Sequence, residues 1–166
     1  KIDAISPALG KEFTKNLIIF GLLVFFAISV IIFLVYRKIK ITLAVILTMF
    51  SEAIITIGLA ALIKWNLDAP SIAGIIAGMG TGVNDQMVIL SEAVSNKVGS
   101  LKERIKNAFF IISGAFLTIV AAMLPLFWAG AGLLKGFALT TILGVSIGIL
   151  ITRPAFSDII KLILKE

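Results

Sequence analysis

Two carboxylic acids lie inside stretches otherwise apolar enough to cross a bilayer, and their position makes them the residues of this chain best placed to do chemistry. Asp85 sits in the run Ala73–Glu92, AGIIAGMGTGVNDQMVILSE, between Asn84 and Gln86. Glu52 sits in the run Ile41–Ile63, where Thr48, Glu52 and Thr56 recur every four residues and make a polar stripe along one helical face. An ionisable group within a membrane span is costly and commonly marks a proton or ion path. Desolvation favours the neutral form of an acid, so such a group can change its charge near neutral pH. The plainer reading is that hydroxyls and amides of neighbouring helices satisfy Asp85 and fix their association, and that Glu52 makes an internal hydrogen bond. Within the spans no basic residue stands out as a partner for Glu52. The proton-relay candidates are therefore Asp85, Glu52, Asn84 and Gln86. The chain has no His and no Cys, so a relay here must run on carboxylates, hydroxyls, amides and water. No metal-ligand or nucleotide-binding spacing is present, and neither a metal nor a cofactor is expected.

A helix advances about 100° per residue, which gathers Gly74, Gly78, Thr81, Gly82, Asp85 and Glu92 on one side of the central run. Ile72, Ile76, Met79, Val83, Met87 and Leu90 fall on the other. Small residues four apart allow close helix approach, so the acid is expected to point into protein. The same spacing recurs in Gly136, Thr140, Gly144, Gly148 and Thr152. Gly74, Gly78, Gly82, Gly136, Gly144 and Gly148 are thus the helix-packing candidates.

Composition agrees with a membrane setting: 60% of residues are hydrophobic, 14% are charged, and the mean hydropathy is +1.14. A soluble globular domain is excluded. The formal net charge of +6 does not read as nucleic-acid binding, because the basic residues lie at helix ends and not in one patch. An all-α integral membrane protein with five spans is expected, at 17–36, 41–63, 71–91, 108–128 and 133–152. Segment 1–16 precedes them, with Ser6 as N-cap and Pro7 opening the helix.

Between spans, Arg37-Lys38-Ile39-Lys40 makes a short basic turn, Trp65 suits the bilayer interface, and Pro70 opens the third helix. Ser100 to Glu103 has the form of a capping box and starts a surface elbow helix. Ser113, Gly114, Thr118, Ala121 and Ala122 on the fourth span suit contact with the Asp85 face. Arg153-Pro154 is expected to end or kink the fifth helix, leaving 153–166 as an amphipathic tail on the membrane with Phe156, Ile159, Ile160 and Ile163 on its apolar side. Arg37, Lys38, Lys40, Lys97, Lys102, Arg104, Lys106, Arg153, Lys161 and Lys165 fall on one side, against Lys1, Lys11, Lys15, Lys64 and Lys135 on the other. By the positive-inside rule the N-terminal segment is external and the C-terminus cytoplasmic.

Several runs, in order, carry a family resemblance. They are Ser6-Pro7-Ala8-Leu9-Gly10-Lys11-Glu12, Leu67-Asp68-Ala69-Pro70-Ser71-Ile72-Ala73-Gly74-Ile75-Ile76, Gly80-Thr81-Gly82-Val83-Asn84-Asp85-Gln86, Met123-Leu124-Pro125-Leu126, Gly136-Phe137-Ala138-Leu139-Thr140-Thr141 and Ile151-Thr152-Arg153-Pro154-Ala155. Together they resemble SecD of the SecD/SecF protein-export family, in its archaeal form, within the RND superfamily. The resemblance implies a six-span subunit whose first span leads into a large external domain. This chain then corresponds to the last five spans, and 1–16 to the exit from that external domain. It also implies a cell-membrane accessory to the Sec translocon that couples the proton gradient to passage or release of exported polypeptides, with SecF and membrane lipids as partners and no nucleic acid. One departure is visible. The family's Asp follows the Val that matches Val83, whereas this chain has Asn84 there and its acid at Asp85. The helical arithmetic favours Asp85 as the exchanging group.

The rivals are a fragment of another RND-type transporter and a structural docking subunit that moves no proton. An intramembrane aspartyl protease needs Asp directly after Gly-x-Gly, but Gly78-Met79-Gly80 is followed by Thr81 and the other acid is a Glu. No enzyme is expected.

Overall fold

A computed structural model describes residues 7–95, 99–130 and 132–164. Ser6, Lys97 and Lys165 lie outside the described residues, and so do the cap, charge and tail readings that depend on them. The described residues are helical throughout: α1 (Pro7–Tyr36), α2 (Ile39–Leu62), α3 (Ala69–Val94), α4 (Leu101–Ala129), α5 (Gly132–Ile147), a π-helical turn (Gly148–Thr152) and α6 (Arg153–Leu164). Three segments are long and apolar enough to cross a membrane: Ile39–Leu62, Leu101–Ala129 and the continuous run Leu134–Leu164. α1 is 30 residues long, and its part Gly21–Tyr36 is apolar. α3 is 26 residues long, ample at ~1.5 Å per residue to cross a hydrocarbon core of ~30 Å. Its glycines and the Asn84-Asp85-Gln86 run interrupt its apolar sequence. The chain divides into two compact units, Lys1–Thr42 and Leu43–Glu166.

In the first unit α1 is one helix, closed by Arg37, whose N–H donates to the Phe33 carbonyl at 2.7 Å. Arg37 takes a left-handed φ of 52°, which turns the chain within two residues into α2.

The second unit is built around α3, which packs against α4, α5 and α6. Asp68 caps α3, its Oδ1 accepting from the Ser71 N–H at 2.9 Å and from the Ser71 hydroxyl at 2.5 Å. α4 begins with the capping box expected at Ser100 and Glu103. It then runs unbroken to Ala129, so the elbow is the first turns of α4 and not a separate helix. Arg104 ties that start to the end of α3 by donating to the Ser95 carbonyl.

α3 and α5 share a close seam. Thr140 donates to the Ser71 carbonyl at 2.6 Å and Thr141 to the Gly74 carbonyl at 3.3 Å. Gly78 and Gly144 meet backbone to backbone, a β-carbon on Gly78 lying 3.6 Å from the Gly144 Cα. Gly74 has less room: a β-carbon there would stand 2.5 Å from the Phe137 carbonyl oxygen. The other half of the facial division is less clean than the helical arithmetic expects, since Met79 and Leu90 are buried as well. α3 is enclosed on more than one side, so both stripes meet protein. The small stripe of α4 does not reach the Asp85 face. Gly114, Thr118, Ala121 and Ala122 are exposed, and α4 is held by Ile105, Ala108 and Ile112. The glycine face of α3 is taken by α5.

The fifth helix does not stop at Arg153-Pro154. Proline lacks the N–H of a helical ladder and its ring crowds the carbonyl four residues back. The chain absorbs this with the wider turn Gly148–Thr152, in which the Arg153 N–H reaches five residues back to the Gly148 carbonyl. α6 continues from there with Phe156 and Ile160 fully buried and packs against α3. That apolar face is therefore covered by protein, where the sequence pattern alone gives a helix lying on lipid.

Candidate functional site

Four elements bring charged and polar groups to one buried cluster in the second unit. The polar stripe of α2 faces inward, with Thr48, Glu52 and Thr56 at 6%, 1% and 1% exposure. Thr56 satisfies its own hydroxyl by donating to the Glu52 carbonyl at 2.7 Å, which leaves the Glu52 carboxylate free to look across the bundle. It meets Arg153, whose Nη1 donates to Glu52 Oε2. Thr152, from the π turn, donates to the same oxygen at 3.1 Å. Arg153 also spans to α3, donating from Nε to Asp85 Oδ2 at 3.1 Å. One guanidinium thus bridges carboxylates on two helices.

The glycines of the two small stripes make room for this. A β-carbon on Gly82 would lie 2.9 Å from Arg153 Nη2 and 3.0 Å from Glu52 Oε2, so only glycine lets the pair rest against the α3 backbone. Gly148 does the same below the guanidinium, where a β-carbon would collide with Arg153 Nη1 and Cζ. Gly136 lies over the cap of α3, 2.6 Å from the Ser71 hydroxyl measured in the same way.

The expectation that Glu52 has no cationic partner in the spans is corrected here. Arg153 had been placed among the basic residues of a helix end because Pro154 follows it. The π turn carries the helix past that point and turns the side chain inward. A signal for this was present: the four-residue repeat Gly136, Thr140, Gly144, Gly148, Thr152 continues directly to Arg153, so the arginine borders the face that packs on α3.

The four relay candidates part company. Asp85 and Glu52 join the cluster. Gln86 is fully buried but turns to α2, its Nε2 donating to the Thr48 hydroxyl at 2.9 Å. Asn84 is exposed and stands apart. Solvent access also separates the acids: the Asp85 side chain is 20% exposed, that of Glu52 is 1%, and Arg153 is sealed at 0%. With every group ionised the cluster carries one negative charge more than positive. A single proton makes it neutral, and in a low-dielectric interior an uncompensated charge is what the structure must avoid.

An all-helical chain with apolar spans and a charged cluster buried between them is an integral membrane protein. Residues 1–164 match the family described as Protein export membrane protein SecD/SecF, C-terminal. Among curated proteins, the chain is 53% identical over 165 residues to the Protein-export membrane protein SecD of Methanocaldococcus jannaschii, an alignment covering 99% of this chain and 42% of that protein. It is 48% identical over 168 residues to the protein of the same name from Thermococcus gammatolerans, covering 98% of this chain and 32% of the relative. The Protein translocase subunit SecD of Synechocystis is more distant, 28% identical over 151 residues, covering 87% of this chain and 32% of that protein. No solved structure matches. The chain belongs to the SecD/SecF family, is of the SecD type found in archaea, and spans less than half the length of these relatives.

Proposed function

We propose that this chain acts in protein export as the membrane part of an accessory to the Sec translocon, coupling the proton gradient to passage or release of exported polypeptides together with SecF. The export role follows the names of its relatives. The coupling reading rests on one observation: Arg153 is sealed between two carboxylates, of which only Asp85 is partly exposed at the surface of the bundle. Asp85 is then the group that takes up and releases the proton, and Glu52 is the fixed counter-charge that keeps Arg153 in place. When Asp85 is neutral its hold on the guanidinium weakens, and α3 is freer to move against α5 and α6. Asn84, at the place of the family acid, lies on the exposed side of α3 and takes no part in this exchange.

The topology proposed is external at the N-terminal segment and cytoplasmic at the C-terminus. Arg153 leaves the positive-inside count because it is paired and buried. Arg37, Lys38, Lys40, Lys102, Arg104, Lys106 and Lys161 still outweigh Lys11, Lys15, Lys64 and Lys135 among the described residues.

A second reading has an observation in its favour. The same three charges satisfy one another, and such a cluster can be a static clasp that fixes helix register. Proton-gradient-dependent export separates the two. Asp85→Asn and Glu52→Gln are expected to lose export while SecF still co-purifies, and Asn84→Asp is expected to leave it unchanged. Export that survives both amide substitutions would establish the clasp. A gain confined to Asn84→Asp would move the exchanging position to residue 84.

A further inference from the structure

The Arg153 cluster does not use all of its hydrogen-bonding capacity, and the unused atoms are complementary. Among the described residues, Glu52 Oε1, Gln86 Oε1 and Arg153 Nη2 are buried side-chain atoms without a hydrogen-bond partner. Glu52, Gln86 and Arg153 are each at least 99% buried, so bulk solvent does not reach them. A buried polar atom left without a partner is costly, and a charged one more so.

Two of the three atoms face one spot on α3, and the third belongs to the next layer between α2 and α3. Arg153 Nη2 and Glu52 Oε1 lie 2.9 and 3.2 Å from the point where a β-carbon of Gly82 would stand, so both face the same spot on α3. Gln86 is one helical turn beyond Gly82, and Thr48, to which Gln86 donates at 2.9 Å, is one turn from Glu52. The Gln86 amide therefore lies one turn, about 5.4 Å, along both helices from the Gly82–Glu52 contact. With its Nε2 committed to Thr48, its carbonyl oxygen is the end left over. Two acceptors and one cationic donor remain. A water molecule supplies two donors and an acceptor, and buried waters typically make about three hydrogen bonds.

We propose that Glu52 Oε1, Gln86 Oε1 and Arg153 Nη2 form a binding site for one ordered water, and that Gln86 is through it a positioning residue for the Glu52 carboxylate. The water donates to the two oxygens and accepts from the guanidinium. Gly82 lets the Glu52–Arg153 pair lie close against the α3 backbone, and Thr48 holds the Gln86 amide by accepting from its Nε2. The site itself stands on geometry; its bearing on proton exchange rests on the function proposed above.

The test is a density map of the purified protein in lipid nanodiscs at a resolution that shows ordered water, for the parent and for Gln86→Met, which keeps side-chain length and removes the amide. The parent is expected to show one density peak within hydrogen-bond distance of all three atoms, and Gln86→Met to lose it with α2 and α3 still in place. A parent map with Glu52 Oε1 and Arg153 Nη2 in direct contact and no peak overturns the site, and so does a peak that persists in Gln86→Met. Should Gln86→Met fail to fold, the parent map alone decides, by the presence or absence of the peak. For the positioning role, Gln86→Met is expected to shift the Glu52–Arg153 contact in the map and, through the guanidinium that Asp85 shares, to displace the pH midpoint of export. An unmoved midpoint with the peak lost overturns that role. A parent peak in a protein whose export ignores the proton gradient supports the site and removes the coupling reading alone.

Discussion

At the level of single residues Arg153 is central, because among the described residues it is the cation that meets both Glu52 and Asp85. Its removal leaves two carboxylates in a low-dielectric interior without compensation. Arg153→Met is therefore expected to destabilise the protein by about 3–5 kcal/mol, read as a lowered thermal unfolding midpoint in detergent. Combining it with Glu52→Gln and Asp85→Asn removes the charges together and is expected to recover most of that loss, since an apolar or neutral replacement of a whole buried cluster is often tolerated. A triple variant as unstable as Arg153→Met alone would mean that shape, not charge, is what the arginine provides. Asp85 and Glu52 were legible in the sequence as carboxylates in apolar runs. Arg153 was legible only through the four-residue repeat that leads to Thr152, because Arg-Pro in sequence reads as a helix end or kink and nothing local announces a π turn.

Helix contacts are where spacing and geometry give different answers. The sequence treats Gly74, Gly78 and Gly82 as one stripe, yet the three meet different neighbours. A β-carbon on Gly78 would lie 3.6 Å from the Gly144 Cα, an ordinary contact, whereas on Gly74 it would lie 2.5 Å from a backbone oxygen that cannot swing aside. Gly74→Ala is expected to cost about 1–3 kcal/mol through forced separation of α3 and α5, and Gly78→Ala to stay within about 0.5 kcal/mol. Chemical unfolding of the two variants beside the parent checks this, and equal losses would contradict it. Gly148→Ala is a different case, because its methyl group enters the space of the Arg153 guanidinium. Its expected signature is loss of proton-dependent export together with reduced stability. The capping box at Ser100 and Glu103 and the inward stripe of α2 could be read in advance because their physics is local. The continuity of α5 through α6, and the choice of α5 over α4 as the partner of the glycine face, depend on tertiary fit that no short window contains.

For the whole molecule, the membrane class was plain from composition, while the number of spans is not a matter of hydropathy alone. α3 is long enough to cross while carrying the Asn84-Asp85-Gln86 run. Orientation can be measured cleanly, since the sequence contains no cysteine and any introduced one is unique. Single cysteines replacing Lys64 and Lys102, both exposed, are expected to react with a membrane-impermeant thiol reagent from opposite sides, Lys64 from outside and Lys102 only after the membrane is opened. Labelling of both from the outside would contradict the topology.

The central claim is that Asp85 exchanges a proton while Glu52 stays ionised against Arg153. The most direct measurement is the carboxylic-acid C=O stretch in infrared difference spectra of the protein in lipid, recorded between acidic and neutral pH. The account predicts a protonated-carboxyl band that is absent in Asp85→Asn and retained in Glu52→Gln. A band that survives Asp85→Asn and vanishes in Glu52→Gln would contradict it and make the sealed acid the one that titrates.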